Sequence, residues 1–285
     1  MKNFKRIMIY VFVLAGLAKA EPVKLWETGE VFNAPESVAY DSKRGFLYIS
    51  NCNGSLKNGL QYGQQSISKA NIKGEIIKAD WIDNLTKPTG ICISDDKLYI
   101  VERFGVVEYD LKQDKVSNKY YIKTSYFLND VTVDPQGRIY VSESDTNTIY
   151  RIKGNSVEKW LDSEEVSRPN GVLFDDGKLL VAVNSDHCLK AVNISDKKVT
   201  KIAALGEGIL DGIKKCGDGY LVSDFMGSLY LVKLSGQVTE LINTREAGID
   251  IADFEYIPDK DMLVSPAMRS NKLICYRLGQ EEKID

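Results

Sequence analysis

The sequence has a single histidine, His187, and none of the short motifs that mark the common catalytic sites. It contains no G-x-S-x-G, no H-E-x-x-H, no G-x-G-x-x-G and no P-loop. Zinc sites built from several histidines are therefore excluded, and a Ser-His-Asp triad would have to use His187. His187 lies in NSDHC, where a proton shuttle at a pocket rim and an ordinary surface residue are both open hypotheses.

Cysteine is sparse as well. The five cysteines are odd in number, widely scattered and never arranged as C-x-x-C, which excludes a disulfide framework and a thiolate metal site. Cys92, Cys188 and Cys275 lie in apolar runs, so we expect them to pack as small hydrophobic residues. Whether one pair bridges in an oxidising compartment stays open.

Long apolar runs are absent except at the N-terminus. Residues 1–20 combine a basic start, the apolar run Ile7–Leu17 and a closing AKA, which are the three parts of a secretory signal peptide. The run is shorter than the ~20 apolar residues of a membrane-spanning helix. We therefore predict cleavage, a secreted or periplasmic protein without a membrane span, and one domain over residues 21–285. An uncleaved membrane anchor is the alternative.

The sequence has no basic tract. Cleavage would remove four positive charges and leave 33 Lys and Arg against 40 Asp and Glu, a net charge of −7. This charge argues against nucleic acid as a partner, whereas an anionic surface tolerates cations.

Six segments share one pattern, in which an apolar strand, a tight polar turn and a second apolar strand follow one another. They are PESVAYDSKRGFLYIS, PTGICISDDKLYIV, NDVTVDPQGRIYVSE, PNGVLFDDGKLLVAV, LDGIKKCGDGYLVSD and ADFEYIPDKDMLVSP. The turns have hairpin chemistry, and further strand-like stretches follow the hairpins. The spacings of 53, 41, 40, 41 and 42 residues match one four-stranded propeller blade per unit. The sequence therefore predicts an all-β fold, a six-bladed β-propeller with four antiparallel strands per blade.

The first and last units differ from the others. The sixth unit runs out before its outer strand, and we predict that VKLWETG (Val23–Gly29) supplies that strand and closes the ring. The first unit carries a Gly-, Asn- and Gln-rich insertion at Asn51–Gln65, for which a lid or rim and a solvated loop are both open hypotheses.

The second residue of each unit is predicted to lie at one mouth of the central channel. In chain order these residues are Glu36, Thr89, Asp130, Asn170, Asp211 and Asp253, with Asn129 beside Asp130. Two carboxylates ~4 Å apart repel by roughly 4 kcal/mol at an effective dielectric of 20, so protons or a cation must neutralise them. Oxygen ligands without Cys or His suit Ca²⁺, Mg²⁺ or Mn²⁺. A mouth that holds only water is the alternative.

Four short motifs contain these residues: PES with Glu36, LND with Asn129 and Asp130, RPNG with Asn170 and LDG with Asp211. In these motifs the chain resembles the senescence-marker/gluconolactonase family, the regucalcin-like lactonases. The resemblance implies a six-bladed propeller with one divalent cation, usually Ca²⁺, at the channel mouth. It implies Glu36, Asn170 and Asp211 as metal ligands and Asn129 as a metal or substrate contact. Members of the family hydrolyse lactones or organophosphate-type esters.

Three positions depart from the family pattern. Phe127 stands where sugar lactonases carry an arginine, Val131 follows the Asn-Asp pair in place of glycine, and Tyr40 is the nearest aromatic residue after the first motif. These changes favour a more apolar lactone or ester over a sugar-acid lactone, with Phe127 in contact with the substrate.

Two functions stay open at this point. The first is a secreted, monomeric, metal-dependent lactonase or esterase, in which Asp211 or Asp130 takes a proton from the attacking water and Asn129, Phe127 and His187 contact the substrate. The second is a non-catalytic propeller that serves as a ligand-binding or protein-interaction module, because the fold alone does not decide function.

Overall fold

The computed structural model describes residues 21–52 and 65–279. This part of the chain forms six separate four-stranded sheets, each antiparallel throughout. Three short 3-10 turns are the only helical elements among the described residues, and none of them is long and apolar enough to cross a membrane. The predicted all-β, six-bladed propeller is confirmed.

The first three blades follow one another along the chain, each built from innermost to outermost strand. Blade 1 holds β2 (Pro35–Asp41), β3 (Phe46–Asn51), β4 (Ser66–Asn71) and β5 (Ile76–Ile82). Blade 2 holds β6 (Ile91–Ser94), β7 (Lys97–Glu102), β8 (Gly105–Asp110) and β9 (Lys115–Tyr121). Blade 3 holds β10 (Leu128–Val133), β11 (Ile139–Glu143), β12 (Thr148–Lys153) and β13 (Ser156–Asp162).

The last three blades complete the ring. Blade 4 holds β14 (Pro169–Asp175), β15 (Lys178–Val183), β16 (Cys188–Asn193) and β17 (Val199–Ala204). Blade 5 holds β18 (Leu210–Cys216), β19 (Gly219–Asp224), β20 (Ser228–Lys233) and β21 (Val238–Asn243). Blade 6 holds β22 (Glu255–Ile257), β23 (Met262–Ala267), β24 (Lys272–Arg277) and, as its outer strand, β1 (Val23–Glu27).

The strand from the N-terminal side closes the ring, as the sequence predicts. In β1, Val23 pairs with Arg277 and Trp26 pairs with Cys275, with a bulge between the two pairs. This pairing covers the edge that β24 would otherwise leave open to solvent.

The hydrophobic core lies between neighbouring blades. Between blades 5 and 6, for example, the fully buried side chains Leu229, Phe254 and Leu263 belong to one cluster. Burial of each such side chain contributes roughly 1.5–3 kcal/mol. The cores therefore hold the blades in a fixed ring around the channel.

Every blade has the same orientation. Its innermost strand begins on one face of the ring, and its second strand ends on that face, as the pairing of Pro169 with Val183 shows. We call this the mouth face, and the other side, where the first hairpin of each blade turns, the opposite face.

Three predictions concern residues outside the described part of the chain. The signal peptide covers residues 1–20, most of the blade-1 insertion is residues 53–64, and the tail begins at residue 280. Cleavage, export and a lid function therefore stay predictions. Of the cysteines expected to pack as hydrophobic residues, Cys188 and Cys275 are buried and Cys92 is half-buried.

Candidate functional site

Strand register defines a set of equivalent residues at the start of the inner strands. In four blades the residue just before this position pairs with the last residue of the second strand; the pairs are Pro35–Asn51, Leu128–Glu143, Pro169–Val183 and Leu210–Asp224. The equivalent residues are therefore Glu36, Asn129, Asn170 and Asp211. All four are buried at the channel mouth.

The register corrects the sequence alignment in blade 3. The repeat comparison placed Asp130 in the equivalent set, but Asn129 occupies that position and Asp130 lies one residue further along. Asp130 is thereby equivalent to Gly171 and Gly212. The Asn-Asp pair misled the comparison because either residue could match a column of Glu, Asn and Asp.

Two of the three predicted metal ligands have buried polar atoms without a hydrogen-bond partner among the described residues. Glu36, Asn170 and Asp211 are only 9%, 6% and 6% exposed. Glu36 Oε2 and Asn170 Oδ1 are buried without a hydrogen-bond partner in the described part of the chain. A buried acceptor left unpaired costs about 1–3 kcal/mol, so two at one site require an explanation.

The two other channel carboxylates are occupied by hydrogen bonds. Asp130 accepts from Val131 N at 2.7 Å through one oxygen and from Val172 N at 2.7 Å through the other. Asp253 accepts a hydrogen bond from the Ser37 hydroxyl. Asp130 thus joins the inner strands of blades 3 and 4, and Asp253 joins those of blades 6 and 1.

The side chains of Asp211 and Asn129 also differ in whether they have hydrogen-bond partners. No hydrogen bond or ion pair reaches the Asp211 carboxylate from residues 21–52 or 65–279. The Asn129 amide donates from Nδ2 to Ser144 Oγ at 3.2 Å, and that hydroxyl donates to the carbonyl of Pro169 at 2.7 Å. Asn129 is therefore tied to the next blade, whereas Asp211 keeps both oxygens available.

Burial and mutual repulsion make these carboxylates hard to ionise. Burial raises the pKa of Glu36 and of Asp211 well above the ordinary range, and the neighbouring negative charges raise both further. Burial and the charge of Asp253 raise the pKa of Asp130 to about 8, although Lys214 opposes them. Without a cation, the protonated, neutral forms of these carboxylates are therefore favoured at the channel mouth.

Lys214 partly offsets the negative charge of these carboxylates from within the channel. Burial alone would lower the pKa of its ammonium group, but the charges of Asp253, Glu255 and Asp130 outweigh that effect and raise it. Lys214 therefore stays charged beneath the mouth and favours the ionised forms of Asp253 and Asp130.

Glycine after the site residue permits close approach of neighbouring inner strands. A Cβ at Gly171 would lie 1.9 Å from the carbonyl oxygen of Asp211, and one at Gly212 would lie 2.3 Å from Asp253 Oδ1. The PNG segment of blade 4 therefore places Asn170 directly beside Asp211, because a side chain at residue 171 would force the two strands apart.

Three inner strands are entered through a left-handed residue followed by proline. These residues are Ala34, Lys87 and Arg168, with φ of 49°, 49° and 54°. Their N–H groups donate to side-chain amide oxygens of the preceding blade, which belong to Asn271 at 2.8 Å, Gln65 at 2.8 Å and Asn147 at 2.9 Å. Each amide holds a strained backbone two residues before a channel position, which fixes the direction of the site side chain.

The sequence analysis did not identify these amides. The available signal was an X-Pro pair before the site residue in three units, together with Asn or Gln just before the third strand of the preceding blade. Similarly, Glu143 was missed. Its carboxylate accepts from Tyr126 N at 3.0 Å and from Phe127 N at 2.6 Å, and so holds Phe127 at the mouth face.

His187 lies in the loop between β15 and β16, on the mouth face as predicted. Its backbone is left-handed, with φ of 50°, and its carbonyl accepts from Leu205 N at 2.8 Å. Within the described residues the ring Nδ1 has no partner, and no hydrogen bond connects the ring with the channel residues. Substrate contact by His187 stays a prediction.

The donor chemistry of the mouth fits a hard divalent cation. Glu36 and Asp211 offer carboxylate oxygens and Asn170 an amide oxygen, which are the ligand types that Ca²⁺ and Mg²⁺ prefer. Among the described residues no three Asp, Glu, His or Cys side chains form a metal cluster by themselves, so the Asn170 amide is needed to complete the set.

Comparison with known proteins finds similarity in structure only. No protein-family model and no curated protein matches the sequence. Among solved structures, a gluconolactonase from Xanthomonas campestris has a TM-score of 0.69 at 15% identity, covering 87% of this chain and 88% of that one. A putative gluconolactonase has a TM-score of 0.66 at 13% identity, covering 91% and 92%.

A virginiamycin B lyase from Staphylococcus aureus is also similar, with a TM-score of 0.65 at 15% identity over 90% of this chain and 100% of that one. At these identities the likeness shows the fold alone. The structural neighbours include gluconolactonase propellers, so the resemblance drawn from the motifs is confirmed at the level of architecture.

Proposed function

We propose that this protein is a divalent-metal-dependent hydrolase of small lactones or esters, with Glu36, Asn170 and Asp211 as its metal-binding residues. The observation that carries the proposal is the pair of buried, unpaired oxygens, Glu36 Oε2 and Asn170 Oδ1, at equivalent positions of the channel mouth. A hard cation satisfies both oxygens and neutralises the repulsion between the carboxylates. Lactone hydrolysis is the activity named for one of the similar structures, a gluconolactonase, and a second is described as a putative gluconolactonase.

A bound divalent cation supplies Lewis-acid chemistry, because it polarises a substrate carbonyl and stabilises negative charge on its oxygen. The residues of the chain supply the rest. We assign the general base to Asp211, which takes a proton from the attacking water. The water oxygen bonds to the acyl carbon, the acyl C–O bond breaks, and the proton passes to the departing alkoxide oxygen.

The hydrogen bonds favour Asp211 over Asp130 as the base. Both Asp130 oxygens already accept from backbone amides, so proton transfer to Asp130 would break a link between blades 3 and 4. Asp211 has no such partner in the described residues.

A lyase activity is the second candidate. The similar virginiamycin B lyase shows that this architecture is not restricted to hydrolases, and one of its solved structures is a catalytically inactive histidine-to-alanine variant with quinupristin. The single histidine of this chain, His187, lies on the mouth face with an unpartnered ring nitrogen. His187→Gln would abolish a His-dependent elimination, whereas in the proposed hydrolysis it would remove one substrate contact and leave turnover measurable.

The experiment is a panel of lactones, aryl esters and phosphotriesters, assayed with Ca²⁺, Mg²⁺ or Mn²⁺ and with a chelator. We expect turnover of a lactone or carboxylic ester that the chelator abolishes and that falls at least about 100-fold in Asp211→Asn. Asp176→Asn is the matched control, since it makes the same change in an exposed turn on the opposite face.

Two results would count against the proposal. Turnover that survives both the chelator and Asp211→Asn would refute metal-dependent hydrolysis at this site. Cation binding without turnover of any panel member would favour the non-catalytic, ligand-binding module.

A further inference from the structure

A small pocket opens on the mouth face next to the start of β10. Its volume is about 180 Å³, and it is lined by Lys87, Arg103, Tyr126, Phe127 and Leu128. We call it the rim pocket. The volume equals that of about six water molecules at ~30 Å³ each, and it is smaller than the ~300–1,000 Å³ of a site for a whole drug-sized ligand. The rim pocket therefore has room for one substituent of a substrate.

The residues that line the rim pocket include two positively charged side chains and no acidic one. Lys87 and Arg103 are both exposed, and neither forms an ion pair with a carboxylate of residues 21–52 or 65–279. Their charged groups lie over aromatic rings instead, with Lys87 Nζ 4.2 Å from the centre of Phe127 and the Arg103 guanidinium carbon 5.3 Å from that of Phe104. Two cations remain available for an anionic group.

The wall formed by Phe127 is fixed by the protein. Its N–H donates to the buried Glu143 carboxylate, and its carbonyl accepts from Ser144 N at 2.9 Å. The Ser125 hydroxyl donates to the carbonyl of Arg103 at 3.3 Å, which connects the β7–β8 turn with the same segment. The pocket is therefore formed before a ligand binds, so little ordering is needed on binding.

The rim pocket adjoins the channel mouth. Lys87 and Phe127 each stand two residues before a channel position, Thr89 and Asn129, on neighbouring blades. The two residues are also in contact across the blades, since Lys87 Nζ lies 4.2 Å from the centre of the Phe127 ring. A substrate with its carbonyl at the mouth can place a short substituent in the rim pocket.

We propose that the rim pocket is a carboxylate subsite, in which Lys87 and Arg103 bind the anionic substituent of a lactone or ester against the ring of Phe127. The inference rests on the proposed function for the position of the reacting carbonyl. An arginine guanidinium binds a carboxylate through two parallel hydrogen bonds, and a lysine adds a point charge. This anionic substrate differs from the more apolar one expected from Phe127 in the sequence, because Lys87 and Arg103 line the same pocket as the Phe127 ring.

The test uses a matched pair of probes, 5-oxotetrahydrofuran-2-carboxylate and its methyl ester. Both carry the same five-membered lactone, and only the first has a negative charge. Hydrolysis is followed in the wild-type protein. Binding is measured by calorimetry in Asp211→Asn, in which hydrolysis is slow and the cation site is lost, so that the measured affinity reports the rim pocket. We expect kcat/KM and affinity to be about 10-fold to 100-fold higher for the carboxylate, as for hydrogen bonds to a charged group.

The variant that removes the subsite is Lys87→Gln with Arg103→Gln. It should abolish the preference for the carboxylate and change kcat/KM and affinity for the methyl ester far less, because that probe carries no negative charge for the two cations to bind. Arg168→Gln is the control, because it removes an exposed cation at the position equivalent to Lys87, two blades away and outside the rim pocket.

The outcomes separate the two proposals. Equal hydrolysis of both probes by the wild type overturns the subsite and leaves the proposed function standing. No hydrolysis, together with carboxylate-selective binding that depends on Lys87 and Arg103, supports the subsite and counts against the proposed function. Binding without preference, or a preference that the double variant retains, overturns the subsite.

Discussion

The two ends of the innermost strands differ in how completely their buried carboxylates are paired. At the mouth face Glu36 and Asp211 are 9% and 6% exposed and lack hydrogen-bond partners among the described residues. At the opposite face Asp41 and Asp134 are 3% and 2% exposed, and both are fully paired. Carboxylates that are buried to a similar extent are thus fully hydrogen-bonded at Asp41 and Asp134 but not at Glu36 and Asp211.

The pairing at the opposite face is dense. Asp134 accepts from Gln136 N and Arg138 N, both at 2.9 Å, from the Arg138 guanidinium, and from Tyr140 OH at 3.3 Å. Asp41 makes the same kind of set with Arg44 and the hydroxyl of Tyr48. These carboxylates close the first hairpins of their blades, so they serve stability.

The difference indicates where the fold sacrifices stability. A buried carboxylate without a partner persists only where another requirement outweighs its cost, and among the described residues Glu36 and Asp211 both lie at the mouth. Changes of pH and substitutions at either end of the strands test this difference.

The pH dependence of metal-free stability should be the largest effect. The pKa of Asp130 is about 8 in the folded protein, and those of Glu36 and Asp211 are also raised. The folded state then holds protons that the unfolded state releases, so this stability is present below about pH 4 and lost as pH rises to about 8. Each pKa unit corresponds to about 1.4 kcal/mol.

Denaturant unfolding in chelator between pH 4 and 8 measures this slope. We expect the free energy of unfolding to fall as pH rises, Asp130→Asn to reduce the slope, and a divalent cation to restore stability at pH 8. A metal-free protein whose stability rises across this range would contradict the unpaired state of the mouth.

Asp134→Ala should lower the free energy of unfolding by about 3 kcal/mol, because it leaves Arg138 and two backbone amides without their shared acceptor. The estimate takes the lower end of the range for buried pairs, since Arg138 is partly exposed. Urea unfolding with and without Ca²⁺ should give the same loss. A Ca²⁺-dependent loss would assign Asp134 to the functional site instead.

Glu36→Gln should reduce kcat/KM about 100-fold, a size typical of removing one electrostatic contact to a transition state. In chelator its free energy of unfolding should be unchanged or higher than that of the wild type, since a repelling charge has gone. Steady-state kinetics and urea unfolding on the same sample check both parts. Lower stability in chelator would show that Glu36 has a hidden partner.

Gly171→Ala should cost about 2 kcal/mol, because the new Cβ meets the backbone carbonyl of Asp211 at 1.9 Å and the strands must separate. Gly29→Ala is the control; its Cβ would meet only Val31 at an ordinary 3.7 Å. Thermal unfolding and kcat/KM should fall together in Gly171→Ala, because Asn170 and Asp211 move apart. Loss of stability with full activity would argue against the strand spacing as a determinant of the site.

Asn271→Gly should have the smallest effect, about 1 kcal/mol, from the loss of one hydrogen bond to Ala34 N. Glycine keeps the left-handed backbone at residue 271, where φ is 55°. Asn84→Gly makes the same change at an exposed left-handed residue, with φ of 57°, and should be neutral. Equal effects of the two variants would remove any special role for the amide.

The sequence predicts the fold well because the repeated unit is itself the blade. Polar hairpin turns alternate with apolar strands at fixed spacing, and an incomplete sixth unit implies that a distant strand, Val23–Glu27, completes it. Side-chain contacts between neighbouring blades do not repeat at a fixed spacing in the sequence. Lys87, Arg103 and Phe127 meet only because neighbouring blades place them together.

The positions of the site residues could be predicted from the sequence, but their hydrogen-bond partners could not. Glu36, Asn170 and Asp211 follow from their repeat positions, but the assignment of Asp130 failed by one residue because a strand bulge determines which residue of the Asn-Asp pair is equivalent. Hydrogen-bond commitments, such as those of Asp130 with Val172 N, depend on the packing of two blades. No local pattern encodes them.

Calcium binding measured by calorimetry is the most direct test of a cation site at the channel mouth. We expect the full-length protein to bind one Ca²⁺ per chain with a matching rise in melting temperature, and Glu36→Gln or Asp211→Asn to lose both. Asp176→Asn should bind like the wild type. Absence of binding by the wild type for Ca²⁺, Mg²⁺ and Mn²⁺ alike, or undiminished binding by Glu36→Gln, would contradict a cation site at the channel mouth.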